Sequence, residues 1–586
     1  MLLMRIQLFL LLSFIGVLSL HAQKRDVVIN WNTDASNFNK QDISTKPNDL
    51  IGDSKGIFFE LSKDNNVFTD QWYDSNFADP NSLKVSNVIY NAASAIDLSK
   101  IDKTTVPKKV QVSLASSLAR DKIITQLYAS PIVLINGSYQ KVSSFTVSYT
   151  ALNNRSRASK RLPITNSVLA SGNFYKFKIA KTGIYRLSKS FLEDLGMKTN
   201  GINPRNLKIF GQGGKPLSLL NIENTSFDLP ENAIQVIGEA DGSFDSGDSI
   251  LFYAIGTEGY DLQNDTNLNP YTNDSFYYVT ADGNAGLRVQ NMIEPTTAAS
   301  TTITDFNDYK FHEEDTESPA KVGRRWYGNR FDFENEQTFD FDFPNIVAGQ
   351  PVNVVVKAAS ASEANTSLMV SVNGNSVGTI SFIPINDPFL LSARDYSGNT
   401  NASGETVSVK LEYNNSGNPA SIGYIDYIGV TAIRQLTGIN GQLPFQNNRV
   451  ATLSGVGEYQ IANAAQFTQV WDVTNTGAIT AKQNADNAVN LSFKATLGSL
   501  RKYVAINPND YYTPIKISRS LIRNQNLKGT VLKDASGNFQ DLDYLIITSP
   551  RLLQPALRLA NHRKTVDGLN VKVVLRQPVE AVMMDT

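Results

Sequence analysis

The densest set of side chains that could do chemistry is Glu239–Asp248 (EADGSFDSGD), where Asp241, Asp245 and Asp248 stand among glycines and serines ahead of an apolar run. Calcium takes several oxygen ligands on a flexible turn, and this loop offers them, although the spacing is not that of an EF-hand. Asp and Gly are also ordinary turn formers through side-chain-to-backbone hydrogen bonds. Gly211–Gly214 (GQGG) follows a strand pattern and invites a phosphate-loop reading. Lys215-Pro216 comes next instead of a helix start, so no helix N-terminus is offered to an anion and a turn is expected. Phe311–Asp315 (FHEED) resembles an acid–base or metal cluster, but no second histidine stands at ligand spacing, and a solvated acidic segment is expected. Trp326 and Tyr327 could stack on sugar rings, with core packing as the default.

Histidine and cysteine usage narrows the rest. The chain has no cysteine, which removes disulfides, thiolate nucleophiles and Cys-ligated metals. Its three histidines are His21, His312 and His562. His21 falls in a leader-like segment, and His562 lies beside Arg563 and Lys564 near a helix C-terminus, where cations complement the helix dipole. No catalytic residue, cofactor-binding residue or metal ligand is assigned, and no cofactor is expected.

The elements that would position such residues are mostly strands. With 586 residues the chain exceeds one hydrophobic core. Its 54 basic and 55 acidic residues give no polybasic footprint, so no nucleic-acid partner is expected. Arg5, the apolar run Ile6–Leu20 and the small Ala22 read as a secretory signal over residues 1–22, cut before Gln23. No later apolar run is long enough to cross a membrane as a helix. Residues 24–160 read as a β domain with a hairpin at Asn136-Gly137, closed by the basic, polar linker Asn153–Arg161. Residues 165–295 read as β-rich with a short helix at Ser188–Leu195 stopped by Gly196. Residues 300–435 read as a β-sandwich or jelly roll with a hairpin at Asn373-Gly374 and a long last strand at Ile422–Ile433. Residues 440–535 are again β-rich. The fold class expected is therefore mainly β, with several sandwich- or jelly-roll-like domains.

The pattern then changes. Leu542–Thr548 (LDYLIIT), Pro555–Lys564 (PALRLANHRK) and Leu569–Leu575 (LNVKVVL) spell strand, helix and strand, with Ala556, Leu557 and Ala560 as the helix's apolar face and Gly568 as its stop. One βαβ unit cannot bury both faces of a parallel pair. Residues 541–586 are accordingly expected to be the incomplete start of an α/β domain, with Leu545, Ile547, Val571 and Val573 uncovered. Functional groups in such folds stand past the strand ends, here Thr548-Ser549 and Arg576-Gln577.

The run Asp543–Pro550 (DYLIITSP) with Ala556–Ala560 and Gly568–Val573 resembles the start of the gingipain-type cysteine peptidase domain, which has a caspase-like α/β fold. Upstream, Ser171–Leu187, Asn203–Gly211, Asp241–Tyr253, Tyr424–Tyr427 and Trp471–Thr474 resemble the segment that precedes this domain in PorU-type sortases of the type IX secretion system. The resemblance implies an exported protein of the cell surface or outer membrane. It implies the non-catalytic N-terminal part of a peptidase that removes C-terminal sorting signals from cargo and attaches the cargo to the surface. Its implied partners are outer-membrane secretion components and cargo C-terminal signal domains. The family's His–Cys pair has no matching position in this sequence. A reading of another class is a secreted multi-domain β-sandwich protein that binds glycans or proteins.

Overall fold

A computed structural model of the chain describes residues 22–575, apart from 30, 32–57, 62–65, 100, 102, 104–105, 120–121, 153–164, 220–223, 225–226, 322, 387–389 and 402–403. The leader-like segment through His21, the linker at 153–161 and Arg576-Gln577 lie outside the described residues. The chain divides into two compact units, 1–163 and 164–586. Strands dominate both, as the alternating apolar pattern requires.

In the first unit, Ser138–Thr150 pairs with Ala22–Val28, Lys84–Ala92 and Ile132–Ile135, while Asn66–Asp74 pairs with Phe58–Leu61 and Lys122–Ala129. Asn136 and Gly137 both have positive φ, the conformation a two-residue hairpin turn demands, and Ile135 lies opposite Ser138. Phe68, Leu127, Val133, Phe145 and Val147 fill the core. At its edge the Trp72 indole donates to the Tyr149 hydroxyl at 2.9 Å, which in turn donates to Asp74 at 2.7 Å.

Among the described residues the second unit holds six sheets and the βαβ unit. Tyr175–Ile179 and Gly183–Ser188 do not form one ribbon: the first joins Ser275–Thr280 and Ile515–Leu521, and the second joins Ser249–Ala254. The chain passes between two facing sheets at Ala180–Thr182. The corner is fixed by the Tyr185 hydroxyl, which accepts from the amides of Ala180 and Lys181 and donates to the Lys181 carbonyl. Phe177, Tyr185, Phe252 and Tyr277 pack between these sheets. The helix Lys189–Asp194 starts on Ser188, whose hydroxyl accepts from the Phe191 amide, and ends before Gly196 at φ +92°.

Residues 305–435 close their own sandwich. One sheet runs Asp305–Glu313, Ile422–Gln435, Pro351–Ala361, Ser392–Asn401, and the other Glu336–Asp342, Thr406–Asn414, Thr366–Val372, Asn375–Phe382. Every second residue of Val352–Ala358 points into the shared core with Val370, Val409, Leu411 and Val430. The expected turn at Asn373-Gly374 has φ +47° and +81° and joins Val372 to Asn375.

The blocks drawn at 165–295 and 440–535 share sheets. Tyr175–Ile179 pairs with Ile515–Leu521 and Gln290–Asn291 with Thr480–Gln483, and Thr301–Ile303, from the start of the 300–435 block, pairs with Val456–Ile461. Local pattern reveals a strand but not a partner hundreds of residues away, so the boundary between these two blocks does not follow the sheets.

Tyr544–Thr548 and Val571–Leu575 pair in parallel around the helix Leu553–Asp567, which Gly568 stops at φ +67°. Ala556 and Ala560 are buried as expected, but Leu557 is exposed. Val571 is buried, whereas Leu545 and Ile547 on the opposite face are exposed. A helix covers one face of a pair only, so the strand residues divide by parity instead of all standing open.

Candidate functional site

The features singled out in the sequence do not meet. Asp241 accepts from the Ser243 amide, Asp245 from the Ser243 hydroxyl and Asp248 from the Asp245 amide, so these carboxylates build their own turn. Among the described residues no group of three or more His, Cys, Asp or Glu side chains could hold a metal ion, and the hydrogen bonds of this loop are those of the plain turn. Gly211, Gly213 and Gly214 lie against Tyr277, Ile255 and Thr257, where a side chain has no room, and no helix follows them. His562 is exposed on its helix. Tyr327 is buried and packs on Tyr424, while Trp326 is exposed.

The acidic segment at Phe311–Asp315 departs from expectation. It forms the end of the strand Asp305–Glu313, not a solvated stretch. His312 shares a 2.6 Å hydrogen bond with Asn329 and lies 4.5 Å from the Phe339 ring. Glu313 is buried and accepts from the Asn267 amide at 2.7 Å, from its side chain at 2.9 Å and from the Thr266 hydroxyl. Alternation on a strand inside a crowded surface buries one carboxylate in two, and the loop at 261–269 supplies its partners.

That loop converges with the sandwich on a charged cluster. The long strand Ile422–Gln435 is irregular at Asp426: Lys357 lies opposite Tyr427 and Ala358 opposite Ile425, which leaves Asp426 out of register. Asp426 is 5% exposed and accepts from Arg325 at 2.6 Å. Arg325 also donates to the Asp265 backbone carbonyl at 2.9 Å and reaches its carboxylate at 3.4 Å. Asp265, at φ +53°, accepts further from the Tyr427 hydroxyl at 3.0 Å and from Lys357. Glu313, Asp315, Arg324, Arg325, Trp326 and Asp426 line a small recess beside it.

The recess holds more carboxylates than it can neutralise. Burial, opposed by Arg325 and reinforced by Glu313, Asp265 and Asp315, pushes Asp426 up to about 7. Burial and Glu313 push Asp315 up to about 6. Burial works the same way on Asp265, but the bonds from Lys357 and Tyr427 and the charge of Arg325 override it and hold that carboxyl below its usual range. Burial also works against the Arg325 charge, yet Asp426 and Asp265 outweigh it and keep the guanidinium charged. The Arg325–Asp426 pair is thus lopsided: the cation gains from the cluster while the buried anion does not.

Next to the cluster a cleft of about 660 Å³ opens over the outer face of the same sheet. Its floor includes Tyr309, Tyr427, Gly429, Asn353, Val355 and Lys357, with Asp308 and Ser397 beside them, and Tyr260, Pro444, Phe445, Gln446, Asn448 and residues 502–504 are among the rest of the lining. An added Cβ at Gly429 would meet the Tyr309 ring and hydroxyl, so glycine is what lets that ring lie across the strand. The sequence flagged neither cluster nor cleft. The available signal was an aspartate inside the otherwise apolar run Ile422–Val430, a charge in a strand whose neighbours are all buried.

No family model matches the chain, and no curated protein does. Among solved structures, dimeric latent PorU from Porphyromonas gingivalis superposes on 70% of the chain with a TM-score of 0.56 at 20% sequence identity. The chain has the PorU fold. It spans 38% of the length of that PorU chain. A family 35 carbohydrate-binding module from Clostridium thermocellum matches 21% of this chain and 90% of its own (TM-score 0.14, 16% identity). A family 36 module in complex with calcium and xylotriose matches 22% and 99% (TM-score 0.15, 16% identity). Both are local overlaps and carry nothing about ligands. The PorU match agrees with the mainly β, sandwich-rich architecture and with the resemblance read from the sequence. Among the described residues no helix is long and apolar enough to cross a membrane.

Proposed function

We propose that this chain is the non-catalytic part of a PorU-like sortase, exported to the cell surface, where its β layers position a gingipain-type peptidase domain and contact cargo. The observation that supports the reading is the PorU fold over 70% of the chain, joined to a βαβ unit of the kind that opens such a peptidase domain. A peptidase of that family attacks with a cysteine thiolate activated by histidine. This chain has no cysteine, so its contribution is binding and placement. The partners on this reading are the C-terminal signal domains of cargo and outer-membrane components of the type IX secretion system.

The test is to immobilise a cargo C-terminal signal domain and pass the purified chain over it, then examine the cargo for cleavage. Saturable binding with the cargo intact supports the assignment. Cleavage by the chain alone, or no binding by a chain whose melting shows it folded, refutes it.

A further inference from the structure

We propose that the cleft over the sandwich sheet binds a neutral oligosaccharide, with Tyr260 as its stacking platform. The inference goes beyond the sortase reading and does not depend on it. The cleft's volume, about 660 Å³, lies within the range of ligand clefts. Tyr260 is 43% exposed, with its ring 6.1 Å from Tyr309 and 6.2 Å from Tyr427, and its hydroxyl 3.3 Å from Asp265. Its ring is held by two other aromatic rings and one hydrogen bond while much of its surface stays open. That is what the apolar CH face of a pyranose requires.

The remaining lining selects the ligand class. Its floor ions are already paired: Lys357 with Asp265, and Asp308 with the buried Arg434 at 2.8 Å. A charged ligand would therefore find no uncommitted counter-ion on the floor, and the exposed Lys502 of the wall, which makes no ion pair among the described residues, is the cation whose pull on an anionic sugar the heparin arm measures. The amides Asn353, Gln446 and Asn448 orient through neighbouring groups: Asn353 donates to Asn399 at 3.0 Å, and Gln446 to Asn448 at 3.0 Å. Each amide has two donors and an acceptor, so these bonds leave capacity for sugar hydroxyls. An extended peptide would be held chiefly by main-chain pairing to a strand edge. The floor strands Pro351–Ala361 and Ile422–Gln435 are paired on both sides, and the edge strand Asp305–Glu313, which supplies Tyr309, already donates its Asn307 amide to the Gln446 carbonyl at 2.9 Å, so little strand edge is left for a peptide.

The experiment titrates the full chain calorimetrically with cellohexaose, xylohexaose, maltohexaose and mannohexaose, with a heparin hexasaccharide and an extended decapeptide as the other arms. At least one neutral hexasaccharide is expected to bind with a Kd of about 1 mM or tighter. Tyr260→Ala should weaken it about tenfold, and Tyr260→Phe, which keeps the ring, should stay near wild type. Ser397→Arg, at an exposed position in the lining, should block the cleft and gives an independent variant if Tyr260→Ala proves misfolded by its melting curve. Binding of heparin or the peptide in place of every neutral sugar, no binding at all, or neutral-sugar binding untouched by both Tyr260→Ala and Ser397→Arg would overturn the proposal. Any of those results leaves cargo binding unaffected, so failure here and failure of the sortase reading are distinguishable.

Discussion

Asp426→Asn should stabilise the second unit by an amount that grows as pH rises from about 4 and is full above about 7. An unfolded aspartate titrates near 3.8, whereas burial holds Asp426 near 7 in the fold. Between those values the native state keeps a proton that the unfolded chain has lost, so stability falls as pH rises and levels off above about 7. Three pH units at 1.36 kcal/mol each set an upper limit of about 4 kcal/mol. The Arg325 side chain is 39% exposed, and water around it screens the cluster, which leaves roughly 2 kcal/mol. Asp315, raised for the same reason, adds loss of the same sign below about 6. Asp265 works in the other direction, but its stabilisation is lost only on acidification below its usual range, outside a pH 5 to 8 comparison. Asparagine keeps an oxygen to accept from Arg325 and carries no charge to bury. In differential scanning calorimetry the wild-type transition that contains the sandwich should drop by a few degrees from pH 5 to pH 8. The variant should fall less, keeping only the Asp315 loss below about pH 6, and should melt higher than wild type at pH 8. A wild-type transition that rises over this interval, or a variant less stable than wild type at pH 8, would mean the ion pair outweighs its desolvation and the reasoning is wrong.

The purified chain should not hydrolyse a sorting-signal peptide, and turnover by mass spectrometry that survives replacement of His562 would contradict this. Limited proteolysis should cut within residues 541–575 before the β layers of the second unit, because Leu545, Ile547 and Leu557 are exposed around a single helix; equal protection of both regions by peptide mapping would count against it. Trp471→Ala, at a fully buried position, should cost about 3–5 kcal/mol in denaturant unfolding, and a loss below 1 would show that the site collapses around the gap. Gly238→Ala places a Cβ on the Asp248 carboxylate at φ +95° and should lower stability by roughly 2 kcal/mol by the same measurement; an unchanged midpoint would show that the turn can rearrange.

Legibility followed the range of the interaction. Hairpins at Asn136-Gly137 and Asn373-Gly374 and the stops at Gly196 and Gly568 are set by φ preferences within a few residues, and all four stand where the pattern placed them. The sandwich at 305–435 was readable because its strands pair with one another. Sheets that join Lys178 to Ile515 were not, since each strand satisfies the same alternation whichever partner it takes. The charged cluster was hidden for a related reason. Asp265, Glu313, Arg325, Lys357 and Asp426 come from five separate segments, and only the fold makes them neighbours. Asp241, Asp245 and Asp248, adjacent in sequence, attracted a metal reading that their local hydrogen bonds absorb.

The sandwich begins and ends side by side, Asp305 opposite Gln435, while the sheet around Tyr175–Ile179 needs Ile515–Leu521 to be finished. In a chain delivered from its N-terminus, the sandwich can close as soon as Gln435 has emerged, yet Tyr175–Ile179, already paired with Ser275–Thr280 on one edge, keeps its other edge open for a strand made much later. The split sheet is therefore finished after the module inserted in it, and the adjoining ends of that module hold the two halves of its host near each other. A circular permutant opened at Asn373-Gly374 would forfeit that head start, and the host layers would have to find each other across a long, unstructured span.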